Sequence, residues 1–178
     1  MDYNKIILQY YPEDNEQRHI LVTHSELVTR KALSIVDAHP ELGADRQFVE
    51  EAAMIHDLGI FLCNAPGIYC FGNEPYIKHG ILGAELLRKE GFPRHARVCE
   101  RHTGAGITRE DIEKQGLPLP PQDFLPETIE EKIICYADKF FSKTKLEREK
   151  TVEEACRSLL KFGNDGTERF LSWTKIFE

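Results

Sequence analysis

Apolar residues in this chain recur every three to four positions, segment after segment, and nowhere alternate long enough to make a convincing strand. That periodicity restricts the fold to helices packed on helices, an all-α architecture. Ile20, Leu21, His24, Leu27, Val28, Ala32, Ile35 and Val36 trace one stripe of a first main helix, ended by the turn residues around Pro40 and Gly43. Phe48, Ala52, Ile55 and His56 mark a second helix, closed by Gly59. A third runs from near Ile77 to Glu90, with Gly91 and Pro93 as stop signals, and a fourth from Pro93 to His102. Thr108 to Gln115 reads as a short helix closed by Gly116. Thr128 with Glu131 has capping-box spacing and opens a long helix through Phe141. Thr151 with Glu154 repeats the signature ahead of Val152 to Phe162, and Thr167 to Phe177 makes a last helix. Two stretches read as loops: Asn64 to Pro75, and Gly116 to Pro126, whose prolines suggest an extended connector.

At 178 residues, 41% of them apolar, the chain suits one domain with one core and shows no linker or repeat. No uncharged apolar stretch approaches membrane-spanning length, and Met1 to Tyr11 lacks the features of a secretory signal. Five cysteines with no C-x-x-C pair argue against a disulfide framework or a thiolate zinc site, and fit a reducing cytoplasm. A net charge of −7 disfavours nonspecific nucleic-acid binding. In the most basic segment, Lys139 to Lys150, the lysines interleave with Glu147 and Glu149, as on a solvated helix face.

Against that background, several polar residues sit where apolar stripes would otherwise continue. They are His24, the adjacent His56 and Asp57, His79, His102 and Asp138. Asp138, flanked by Ile133, Ile134, Ala137 and Phe141, would be costly to bury unless paired or bound to a cation. Imidazole nitrogens and carboxylate oxygens are donors that divalent transition metals prefer, and a helix bundle can converge them on one point. The cations beside them, Lys78 next to His79 and Lys139 next to Asp138, could reach a substrate phosphate or simply face solvent. Tyr69, Phe71 and Tyr76 could stack on a base or anchor their loop, and anchoring is the expectation. Cys63 and Cys70 read as small apolar residues, and His19, His39 and His95, in polar or turn contexts, as non-ligands.

The ordered set His24, His56-Asp57 and Asp138 resembles the HD-domain superfamily of metal-dependent phosphohydrolases, over roughly Arg18 to Ser142. His79 and His102 match the two further histidines of its dinuclear members. The resemblance implies a single-domain HD-type bundle, with residues 143–178 as a helical extension packed on it. It implies one divalent ion held by His24, His56, Asp57 and Asp138 and a second held by Asp57, His79 and His102, drawn from iron, manganese, nickel, zinc or magnesium. The implied activity is hydrolysis of a phosphate ester or anhydride, most plausibly of a nucleotide, by metal-activated water, with Asp57, Lys78 and Lys139 at the reacting centre. Many relatives read H-D-x-x-K, whereas this chain reads His56-Asp57-Leu58-Gly59-Ile60 and lacks that lysine. Two alternatives stay open: a noncatalytic sensor of nucleotide or metal, and a mononuclear nucleotidase whose His79 and His102 contact substrate.

Overall fold

The computed structural model describes residues 1–160 and 163–178. Its helices are α1 (Tyr3–Tyr10), α2 (Glu16–Ala38), α3 (Arg46–Ile55), α4 (His79–Lys89), α5 (Pro93–Arg101), α6 (Arg109–Gln115), α7 (Ile129–Asp138), α8 (Val152–Leu159) and α9 (Asn164–Phe177). Strands β1 (Asn64–Ala65) and β2 (Cys70–Phe71) pair antiparallel inside the first expected loop, with Asn64 opposite Phe71. The all-α reading holds, since this pair is the only sheet among the described residues.

Local signals explain most helix ends. Asn15 and Asp45 cap α2 and α3 by accepting the amides of Arg18 and Phe48. Thr108 with Asp111 and Thr151 with Glu154 make complete capping boxes. Thr128 makes half of one: its hydroxyl takes the Glu131 amide, but the Glu131 carboxylate turns to the amide of Glu127. Helix α7 is shorter than expected. It stops at Asp138, and Phe140 and Phe141 follow in a turn bonded to the carbonyls of Ala137 and Asp138. The expected helix end at Phe162 lies outside the described residues. Helix α1 was not legible as a helix, being one short turn pair around Ile6 and Ile7, yet both are buried.

Two apolar clusters meet along a seam. Val28, Ala32, Phe48, Ile133, Tyr136 and Phe170 belong to one, and α8 and α9 join it through Leu159, Trp173 and Phe177. Leu21, Ile55, Leu58, Leu87 and Cys99 belong to the other. His24 lies on α2 between Leu21 of one cluster and Val28 of the other, and His56-Asp57 follow directly on Ile55. The seam is where polar donors enter the interior. It is closed by backbone against backbone: a Cβ on Gly80 would come within 2.5 Å of the carbonyl oxygen of Cys99, so α4 and α5 touch without an intervening side chain.

Candidate metal centre

Each histidine of the seam sits at a place its helix makes special. His56 follows the last residue of α3, His102 follows the last residue of α5, and His79 is the first residue of α4. All three rings fold back on the preceding turn. Nδ1 of His56, His79 and His102 each lie 2.7 Å from the carbonyl oxygen three residues earlier, on Ala53, Tyr76 and Cys99. A carbonyl can only accept, so each Nδ1 carries the hydrogen and each Nε2 is turned inward. Tyr76 also stacks on the His79 ring at 4.6 Å, fixing its plane.

Those nitrogens, with Nε2 of His24, meet carboxylates and one another. His24 Nε2 lies 3.0 Å from Asp138 Oδ1 and 3.1 Å from Asp57 Oδ2. His56 Nε2 lies 3.1 Å from the same Asp57 oxygen, while His79 and His102 approach Asp57 Oδ1 at 3.4 and 3.3 Å. His79 Nε2 and His102 Nε2 are 3.0 Å apart. His24, His56, Asp57 and Asp138 thus form one group, and Asp57, His79 and His102 another, with donor atoms within 4.8 Å of each other in each. His56 Nε2 and Asp57 Oδ1 are buried with no hydrogen-bond partner, while Asp57 Oδ2 faces the ammonium of Lys143 at 2.6 Å. Imidazole nitrogens and carboxylate oxygens gathered this closely in the interior form a donor set that could hold a cation, and nitrogen-rich sets of this kind fit divalent transition ions.

The charges agree. Burial opposes ionisation of Asp57 and Asp138, but Lys143 and His56 at the first, and Lys139 and His24 at the second, hold both carboxyls well below the usual range. Burial also opposes protonation of His56, yet the two aspartates raise it to about 9. At His79 burial wins, helped by His102, and lowers it to about 3. His102 is lowered too, chiefly by burial. The two rings of the second group are therefore neutral, as ligands must be.

All six expected donors come together, and Lys139 joins them, its Nζ 2.7 Å from Asp138 Oδ2. Lys78 does not. Its Nζ is held by Glu74 at 2.7 Å, and it does not line the cavity over the site. The basic segment also departs from expectation: residues 139–151 contain no helix, and Lys143 turns inward to place Nζ 2.6 Å from Asp57 Oδ2. Charge alternation could not show this, because Asp57, which draws Lys143 inward, lies far away in the sequence. A usable signal existed, since no acidic residue stands between Asp138 and Glu147. Of the loop aromatics, only Tyr76 anchors; Tyr69 and Phe71 are exposed. Cys63 and Cys70 are buried free thiols, and His95 is buried against Glu51 rather than at the seam.

The HD domain family model matches residues 21–142. The chain is 36% identical over 156 residues to a protein of Picrophilus torridus named tRNA (cytidine(56)-2′-O)-methyltransferase, covering 82% of this chain and 41% of that one. It is 33% identical over 151 residues to the Thermoplasma volcanium protein of the same name, covering 79% and 40%. It is also 36% identical over 148 residues to an uncharacterized protein of Methanocaldococcus jannaschii, covering 82% and 78%. The chain thus spans about two fifths of the methyltransferase-named relatives and most of the third. Among solved structures it is similar to the HD domain of the L. monocytogenes phosphodiesterase PgpH, with TM-score 0.56 and 19% identity over 96% of this chain and 85% of that one. The same domain in complex with cyclic-di-AMP gives TM-score 0.56 and 18% identity, over 97% and 84%. No helix among the described residues is long and apolar enough to cross a membrane.

Proposed function

The chain belongs to the HD-domain family, and from that premise we propose that it is a metal-dependent phosphohydrolase acting on a phosphate ester or anhydride, most plausibly of a nucleotide. The observation that carries the reading is Asp57, one buried carboxylate shared by two groups of inward-facing nitrogen and oxygen donors. In this reading His24, His56, Asp57 and Asp138 hold one divalent ion, and Asp57, His79 and His102 hold a second. Bound there, divalent ions supply Lewis-acid stabilisation of charge on phosphoryl oxygens and acidify water near neutral pH. The chain's own part is to hold the imidazoles of His56, His79 and His102 in fixed orientation through backbone carbonyls, to keep two carboxylates ionised, and to leave one side of the group open to a cavity. Lys139, tied to Asp138 and to the carbonyl of His102 at 3.3 Å, holds positive charge at the cavity wall where a phosphate would arrive. The imidazole-rich set favours iron, manganese, nickel or zinc over magnesium, which prefers oxygen.

Nucleotide binding is supported by the PgpH HD domain, a distant likeness whose structure holds cyclic-di-AMP. The methyltransferase names describe chains more than twice as long as the matched stretch, and the hydrolytic reading rests on the donor set instead. Four buried free thiols support a reducing, cytoplasmic setting. The test is elemental analysis of the purified protein, followed by phosphate release from a panel of nucleotides and phosphate esters, with and without chelator. Metal together with chelator-sensitive release is expected. Nucleotide binding by a metal-replete sample that releases no phosphate would replace this reading with a noncatalytic sensor.

A further inference from the structure

A cavity of about 400 Å³ opens over the metal centre, with His79, His102 and Asp138 at its floor. That volume lies near the low end of the ~300–1,000 Å³ typical of small-molecule sites. Its wall is unusual for so acidic a chain. Lys139, Lys143 and Lys150 all line it, interspersed with the hydroxyl residues Ser142, Thr144 and Ser158, and among the described residues Asp138 is the only acidic one on its lining. Lys139 and Lys143 have side chains only 12% and 13% exposed, so these are ammonium groups held inside rather than solvated surface charges. Each ammonium has three donors. Lys143 directs one at Asp57 and one at the Tyr76 hydroxyl, and Lys139 uses two on Asp138 and on the His102 carbonyl, so each keeps one for an incoming anion. Lys143 is the one set against Asp57, the carboxylate shared by both donor groups. It also stands 5.9 Å from the centre of the Tyr76 ring, whose stacking on His79 ties this wall to the floor.

We propose that Lys143, beside Lys139, is the receiving group for a terminal phosphate, and that the substrate is a compact phosphate monoester rather than a phosphodiester. A monoester phosphate carries about −1.5 to −2 charge at pH 7, whereas a diester carries one and covers a further oxygen. Two ammonium groups lining one cavity over the donor groups match the first. The cavity size favours one nucleotide or sugar unit over a cyclic dinucleotide. The inference rests on the hydrolase reading above for what happens to the phosphate, but Lys143 as an anion-holding group has a readout of its own.

The experiment is calorimetric titration of the full-length, metal-replete protein with inorganic phosphate and, separately, with dimethyl phosphate. Wild type is expected to bind inorganic phosphate at least about tenfold more tightly than the diester. Lys143→Met is expected to weaken phosphate by about tenfold or more with metal content unchanged, and Lys78→Met to leave it as in wild type. With a monoester substrate, Lys143→Met should raise KM more than it lowers kcat. Equal binding of the two probes by wild type would overturn the monoester assignment, whether or not the variant folds. A folded Lys143→Met protein that binds phosphate like wild type would overturn the role of Lys143. Protein that carries no metal and cleaves no ester would overturn the hydrolase reading instead, and elemental analysis separates the cases.

Discussion

Gly59 and Gly83 pack backbone against backbone: a Cβ built on Gly59 would lie 2.5 Å from the amide nitrogen of Gly83, and closer still to the carbonyl oxygen of His79. The turn that carries Asp57 is therefore pressed directly on the helix that carries His79, and the distance between those two donors depends on a missing methyl group. Gly59→Ala should destabilise the fold by about 1–3 kcal/mol, since neither backbone can yield easily, and should lower metal uptake. Gly67→Ala, where a Cβ meets nothing within 4 Å, should change stability by less than about 0.5 kcal/mol. Chemical denaturation midpoints of the two variants provide the check.

Asp57 serves both donor groups, so its removal should cost more metal than that of any histidine. Asp57→Ala is expected to leave purified protein essentially free of metal and to abolish the rise in Tm that added Mn²⁺ gives the wild type. Metal content equal to wild type in elemental analysis would contradict the assignment.

His79 and His102 belong to the second group alone. Their replacement by Ala should each lower the metal count from about two to about one and reduce turnover by well over about tenfold. If they serve as substrate contacts, metal content stays constant while KM rises. Counting metal per chain before and after each substitution distinguishes the two.

Away from the centre, His95 Nε2 lies 3.0 Å from Glu51 Oε2, with the Met1 ammonium on the other Glu51 oxygen and Arg94 nearby. Burial first, then the Met1 ammonium and Arg94, lower the His95 pKa against the pull of Glu51. A histidine lowered on folding contributes stability that is complete above its unfolded pKa of about 6.5 and is lost as pH falls towards the folded value. Glu51, also lowered, acts in the same sense below the ordinary glutamate range. Wild-type Tm should therefore fall between about pH 7.5 and about pH 5.5, and His95→Gln, which keeps a donor for Glu51, should fall less over that interval. Parallel melting series at several pH values would show the difference, and identical slopes would refute it.

Much of this molecule was legible before any coordinates, because helical period and capping chemistry are local. The stripes around Leu21, Val28, Ala52 and Ile134 announced helices, and polar donors interrupting those stripes announced His24, His56, Asp57 and Asp138. Even the fixed ring orientation had a local origin, since each of three imidazoles bonds a carbonyl only three residues back. Tertiary structure decided what the period could not encode. Spacing along a helix sets the direction in which a side chain leaves its own axis, but not which distant groups it meets. Lys78 was expected beside the reacting centre and Lys143 on a solvated helix face. Glu74 captured the first, four residues away, and Asp57 drew the second into the interior from 86 positions away in sequence. A long, flexible ammonium goes where carboxylates concentrate, and that concentration exists only once the helices have converged.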